Sequence, residues 1–316
     1  MKEIVVLSGK GGTGKTTLLG SLAALAGKKV LADCDVDAAD LHLLLAPTPR
    51  SENEFLAGVK ARVATDACTG CGTCQQLCQY EAITLAAQAT VDTLACEGCG
   101  VCAYFCPEQA IHLDKNHCGS WYVSDTVYGT LVHAQLFAGE ENSGKLVAFV
   151  KKQARQLAAE EGVELLLVDG APGIGCPVIA CLSGTDAMVA VTEPTLSGWH
   201  DLARVLDLAD VFRVPTYVCL NKWDLYPQMA TVITDHCRQR GVEILGRIPF
   251  DPAVVQAQLR GMPVVGDKGP AARAIQEIWA ALHERVLSPA VPPRPGSCGP
   301  VEQGGGRDEQ RWPTAW

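Results

Sequence analysis

The chain has 316 residues, a formal net charge of −9 and no long Lys/Arg run, so it lacks the electrostatic footprint of a nucleic-acid or anionic-membrane binder. Its 48% hydrophobic and 19% charged residues are those of a globular protein, and its longest apolar runs are strand-length, short of the ~20 residues that span a bilayer. The opening "MKEIVVLS" lacks the ordered regions of a secretory signal, which predicts a cytoplasmic protein whose 15 cysteines serve metal more than disulfides.

In chain order, an apolar strand from Glu3 to Leu7 runs into a glycine-rich turn. A helix follows in "TTLLGSLAALAG", where Leu and Ala recur at helical spacing up to Gly27. "KKVLADCD" reads as the second strand. Further apolar runs, "VELLLVDG", "DAMVAVTEPT", "VPTYVCLNK" and "VEILGRIPF", alternate with helical segments such as Ser197 to Phe212. Strands that are apolar throughout and separated by helices predict an α/β fold, a mostly parallel sheet flanked by helices. Between Phe55 and Leu113 the pattern changes to Cys and Gly, with short strand-like pieces "ITLAA" and "IHLD". This segment reads as an inserted small α+β domain with too little core to be secure without bound metal. "CGSWYVSDTVYGTLVHAQLF" returns to the main body as strands, and Leu146, Phe149, Val150, Leu157 and Ala158 line one helix face. The expected division is residues 1–54 and 116–287 for the two parts of the main domain and 55–115 for the insert. After a last helix at about Ala271 to Leu287, the Pro- and Gly-rich tail, 288–316, is expected to be disordered.

"GKGGTGKT", Gly9 to Thr16, satisfies the phosphate-loop pattern between a strand and a helix. Backbone N–H groups across Gly9, Gly11, Gly12, Thr13 and Gly14 are expected to close around phosphate oxygens, and the helix N-terminus adds its dipole. Lys15 would reach the terminal phosphates, Thr16 would hold Mg²⁺, and Thr17 completes the phosphate-facing turn. ATP or ADP with Mg²⁺ is therefore the expected ligand set.

The second lysine, Lys10, makes "KGGTGKTT" resemble the deviant Walker A motif of the MinD/ParA/Mrp superfamily, relatives of the nitrogenase iron protein. That resemblance implies that Lys10 reaches the partner subunit's ATP, hence a homodimer or a heterodimer with a related ATPase. It further implies that Asp35 in "LADCDVD" positions the attacking water, and that Asp169 in "LLLVDGAPG" holds Mg²⁺ directly or through water, with Asp35 nearby. Asp37 is the substitute for Asp35. Asn221 in "NKWD" resembles the family's base-contacting asparagine, with adenine as the base; an Asn-Lys turn without a ligand is the plain alternative.

"CTGCGTCQQLCQ" and "CEGCGVCAYFCP" both have C-x2-C-x2-C-x3-C spacing, the two-cluster bacterial ferredoxin signature. Three close cysteines wrap one [4Fe–4S] cubane and the fourth crosses to the other. One cluster is thus assigned Cys68, Cys71, Cys74 and Cys106, and the second Cys96, Cys99, Cys102 and Cys78. Four thiolates also suit zinc, although zinc sites usually come as two C-x2-C pairs. Gln79 stands where the ferredoxin family usually has Pro, as at Pro107. Cys34 and Cys219 read as small buried hydrophobes. Cys176 lies where the nitrogenase iron protein carries a dimer-bridging cluster, but no matching second cysteine precedes it; Cys118 is the nearest.

Apart from the tail, nearly the whole chain resembles superfamily ATPases with an inserted ferredoxin domain, "GIGCPVIA", "VTEPTLSGWHDL" and "EENSGKLV" included. The resemblance implies an ATPase that couples nucleotide state to electron transfer through two clusters to a redox partner. The alternative is an iron–sulfur carrier or assembly ATPase of Mrp type with client proteins. A spatial organiser of MinD or ParA type is disfavoured, since the tail offers neither an amphipathic membrane helix nor a basic DNA surface.

Overall fold

A computed structural model describes residues 1–288; the expectation for the tail, Ser288 apart, lies outside the described residues. β1 (Lys2–Ser8) leads through the glycine loop into α1 (Lys15–Leu25), β2 (Val30–Asp33), α2 (Leu41–Leu45) and the long β3 (Thr48–Val63). A small lobe follows, with α3 (Thr73–Leu77), β4 (Ile83–Leu85), β5 (Ala89–Val91) and α4 (Val101–Tyr104). The equally long β6 (Ile111–Thr126) then returns to the body and turns into β7 (Gly129–Leu136). Helices and strands alternate thereafter: α5 (Ser143–Glu160), β8 (Leu165–Pro172), α6 (Cys176–Leu182), β9 (Ala187–Thr192) and α7 (Leu196–Phe212). β10 (Thr216–Asn221), α8 (Pro227–Gln239), β11 (Glu243–Ile248), α9 (Pro252–Leu259) and α10 (Pro270–Leu282) follow, with short 3-10 turns at Trp223–Leu225 and Val264–Gly266 and a π-helical turn at His283–Leu287.

Nine strands form one sheet in the order β11-β10-β9-β1-β8-β2-β7-β6-β3, parallel except that β6 runs against both neighbours. Alternation along the central strands feeds two apolar layers. Val5 and Leu7 of β1 face α5 to α8, while Ile4 and Val6 face α1, α2, α9 and α10. On α5, Leu146, Val147, Val150, Ala154 and Ala158 are fully buried at helical spacing, with Phe149 and Leu157 at the margin. Lys151 shares that buried face because Glu3 meets its Nζ at 2.7 Å and the Ser183 carbonyl accepts from it at 3.0 Å. A buried cation is tolerable only with such partners, and the C-terminal carbonyls of α6 favour positive charge.

The polar run "TPRSENE" carries no strand pattern, yet it is the first half of β3 at the sheet edge. Cross-strand pairing with β6 forms it, Glu52 opposite Tyr122 and Glu54 opposite Ser120, with Arg50 paired to Asp125. β3 and β6 continue past the body as a two-stranded ribbon that carries the lobe.

The lobe reproduces the sequence repeat as a pseudo-twofold. In the ribbon Ala61 pairs with Leu113 and Val63 with Ile111; in the β4–β5 ladder Ala89 pairs with Leu85 and Val91 with Ile83. The two ladders interchange under the same 28-residue offset that relates Cys68 to Cys96 (96 − 68 = 28). Even the tight contacts match: Gly70 presses on the Ala87 carbonyl and Gly98 on that of Val59, both at positive φ, where a side chain would collide. The lobe's own core joins Ala61, Ile83 and Ile111 to the cysteines and is separate from the two body layers.

Candidate functional site

At the carboxyl ends of the parallel strands, the loop between β1 and α1 borders a cavity of about 1,400 Å³, counting space open to solvent. Gly11, Gly12, Gly14, Lys15, Thr16 and Thr17 line it from the loop, and Asp35 and Asn221 from neighbouring strand ends. Gly14 has φ +97°, and a Cβ there would strike the Asn221 amide; only glycine fits. No side chain caps α1, so its first-turn N–H groups are left for an anion.

Lys15 is 6% exposed, with its Nζ 2.8 Å from Asp169 Oδ1 and 3.4 Å from Asp35 Oδ2. Burial draws its pKa down, but the two carboxylates more than reverse this and the net shift is upward. Asp33, fully buried beside Asp169, has its pKa pushed well up by burial and then by that neighbour's charge. Its carboxylate accepts from Asp35 N and Leu41 N, each at 3.1 Å, and so ties the Asp35 loop to α2. Asp37 is exposed. Asp169 Oδ2 and Thr13 Oγ1 are buried without a hydrogen-bond partner. An orphaned carboxylate oxygen on β8 fits a hydrated divalent cation, with Thr16 supplying a hydroxyl ligand.

Lys10 points away from this cavity. Its Nζ lies 2.6 Å from Glu193 Oε1 and donates to Ser197 Oγ at 2.9 Å. Lys222 meets the other Glu193 oxygen at 3.3 Å and donates to the Gly12 carbonyl at 3.2 Å. Asn221 donates to the Thr13 carbonyl at 2.7 Å and accepts from Lys222 N, so its side chain clamps the loop. Gly9 packs against Asp201, where a Cβ would clash. Asp33, Glu193, Lys222 and the Phe250 wall of the cavity go unassigned from sequence. Asp33 stands two residues before Asp35 at the end of an apolar strand, a position that could have signalled it; Glu193 carries no local signal.

In the lobe, Cys68, Cys71, Cys74 and Cys106 line one cavity, and Cys78, Cys96, Cys99 and Cys102 another. Each is about 360 Å³, counting space open to solvent. Among the described residues, no three His, Cys, Asp or Glu converge closely enough to hold one metal ion. Four thiols around a void fit a cubane better than a single ion, because each iron takes its own thiolate. Hydrogen bonding to Thr73 lowers the Cys71 thiol pKa, whereas burial raises those of Cys74 and Cys102. Elsewhere Cys34, Cys118 and Cys219 are fully buried, and burial pushes the Cys219 thiol up to about 12. Cys176 is exposed at the start of α6, beside an open groove against α5. No helix among the described residues is long and apolar enough to cross a membrane.

Residues 4–264 match the family profile described as CobQ/CobB/MinD/ParA nucleotide binding domain. The uncharacterized protein MJ0578 of Methanocaldococcus jannaschii is 31% identical over 292 residues, covering 90% of this chain and 97% of that protein. An iron-sulfur cluster carrier protein of Pyrococcus abyssi is 27% identical over 44% of this chain and 52% of its own length. Among solved structures, a chain of the Aquifex aeolicus MinC:MinD cell division protein complex superposes with a TM-score of 0.56 at 22% identity, covering 93% of this chain and 99% of that one. The Pyrococcus furiosus cell division ATPase MinD gives 0.55 at 19% identity, covering 90% and 98%. Likeness at that identity bears on the fold.

Proposed function

Because the chain belongs to the CobQ/CobB/MinD/ParA nucleotide-binding family and is a P-loop ATPase, we propose that its ATP cycle governs electron exchange between the lobe and a redox partner protein. The observation that carries this reading is the crossed cysteine set, with Cys106 on the first run's cavity and Cys78 on the second's. Two [4Fe–4S] clusters held there would supply one-electron storage at low potential. Lys15, Thr16 and the loop amides bind the ATP phosphates, Asp169 holds Mg²⁺ through water, Asp35 orients the attacking water and Asn221 serves the adenine. Lys10 crosses to the partner's nucleotide, which makes the working unit a dimer.

The route from nucleotide to lobe is short. Asp33 ties the Asp35 loop to α2, and only Ala46 and Pro47 separate α2 from β3, which runs into the lobe. His42 of α2 also stacks on His133, which stacks on Tyr122 of β6. A shift of the Asp35 loop around phosphate therefore bears on both strands of the ribbon. The test is anaerobic: reduction potential and electron transfer to an acceptor, measured without nucleotide, with ADP and with ATP. Nucleotide-dependent values are expected, and identical values would count against the reading.

A second reading is an iron–sulfur carrier, favoured by the relative of that name and by exposed Cys176. Eight ligands in two closed sets argue for resident clusters. Incubating the loaded protein with an apo-ferredoxin separates the two, since a carrier would lose its iron.

A further inference from the structure

The pseudo-twofold exposes where the two cysteine sites differ. Position 60 is related to position 88 by the 28-residue offset (60 + 28 = 88), and both side chains reach over to the first cysteine of a run. Lys60 Nζ donates to the Cys96 carbonyl at 2.8 Å, while Gln88 Nε2 donates to the Cys68 carbonyl at 3.3 Å and to Thr65. The same place in the two halves thus holds a half-buried cation in one and a neutral amide in the other. Lining carboxylates do not offset this, since each cavity has one glutamate, Glu108 at the first and Glu97 at the second. Among the described residues the ribbon's nearby ion pair, Arg62 with Asp114, leaves Lys60 out.

We propose that Lys60 makes the two sites electrically unequal. The site of Cys78, Cys96, Cys99 and Cys102 takes the first electron, and the site of Cys68, Cys71, Cys74 and Cys106 is the stronger reductant. A positive charge favours the state carrying one more electron. Gln79 acts in the same direction, because it keeps next to Cys78 the backbone N–H that Pro107 lacks next to Cys106. The Ala110 N–H, 3.3 Å from Cys106 Sγ, acts the other way. A full charge outweighs one neutral donor. Transfer between the sites moves one electron from the first to the second, with no bond or proton changing hands.

The inference rests on the two-cluster reading, and one experiment separates their failures. The full chain is reconstituted anaerobically with iron and sulfide, then titrated with dithionite under EPR. Two one-electron steps are expected, at least tenfold apart in equilibrium constant, about 59 mV. Lys60→Gln is expected to lower the higher step about tenfold, Lys60→Arg to preserve it, and Gln88→Lys to raise the lower step. Cys99→Ser identifies the step belonging to the second site. Coincident wild-type steps, or a Lys60→Gln protein whose higher step stays in place, overturn the proposal with the clusters intact. Loading well below about eight irons per chain overturns the cluster reading itself.

Discussion

Lys10 and Lys15 sit five residues apart in one loop and face opposite ways. Lys15 is bracketed by Asp169 and Asp35, whereas Lys10 is held outside by Glu193, Ser197 and Thr195. Burial alone would raise the Glu193 pKa, but the hydrogen bond from Lys10 and the charge of Lys222 bring it below the ordinary value. To reach a partner's phosphates Lys10 must leave this carboxylate. Glu193→Gln is therefore expected to strengthen ATP-dependent self-association about three- to tenfold, as a part-buried ion pair of roughly 1 kcal/mol would predict. Sedimentation over a protein dilution series reads this, and an unchanged dimer constant would mean that Glu193 does not compete. Lys15→Gln strands Asp169, which is 0% exposed, and on the proposed reading also removes a contact to the nucleotide phosphates. ATP turnover is expected to fall by about a hundredfold or more, with a lowered melting temperature. Lys15 belongs to a local motif that consecutive residues spell out. Glu193 meets Lys10 only after the sheet has brought β9 beside β1.

Among the elements, β8 is the sheet's central support, between β1 and β2, and Leu167 on it is fully buried in the α1 layer. Leu167→Ala is expected to cost about 2–5 kcal/mol in urea unfolding, from lost burial plus the cavity left behind. β7 carries a different sensitivity. His133 lies between His42 and Tyr122, with Ser124 Oγ 3.1 Å from its Nε2. Burial, and secondarily His42, lower its pKa from 6.5 to about 4. Between those values the unfolded chain binds a proton that the fold refuses, so the stability contributed by His133 is level above about pH 6.5 and falls as the pH drops toward 4. His133→Gln is expected to flatten that limb in melting temperatures taken from about pH 7.5 to 4.5. An unaltered slope would place the acid sensitivity elsewhere. The apolar strands and α5 are legible as periodicity, whereas the first half of β3 is not, because cross-strand partners create that strand without an apolar pattern of its own.

At the scale of the whole molecule, body and lobe have separate cores and share the continuous strands β3 and β6. The lobe's core is small and sets its cysteines among a few Ala, Val and Ile side chains, so metal bound there would carry much of its folding energy. Anaerobic chelation is expected to open residues 64–110 to limited proteolysis while the body still binds nucleotide; loss of nucleotide binding in step with cleavage would mean a single cooperative unit. The sequence by itself determined the phosphate loop, the alternation of strands and helices, and the cysteine repeat. Each is a short-range pattern, imposed by backbone geometry or by ligand spacing within a few residues. Only the tertiary structure decided that Asp33 anchors the Asp35 loop, that Glu193 holds Lys10, and that Lys60 and Gln88 occupy equivalent places over the two cysteine sites. Those relations join ordinary residue types far apart in the chain, and pairing between strands, which local spacing does not encode, brings them together.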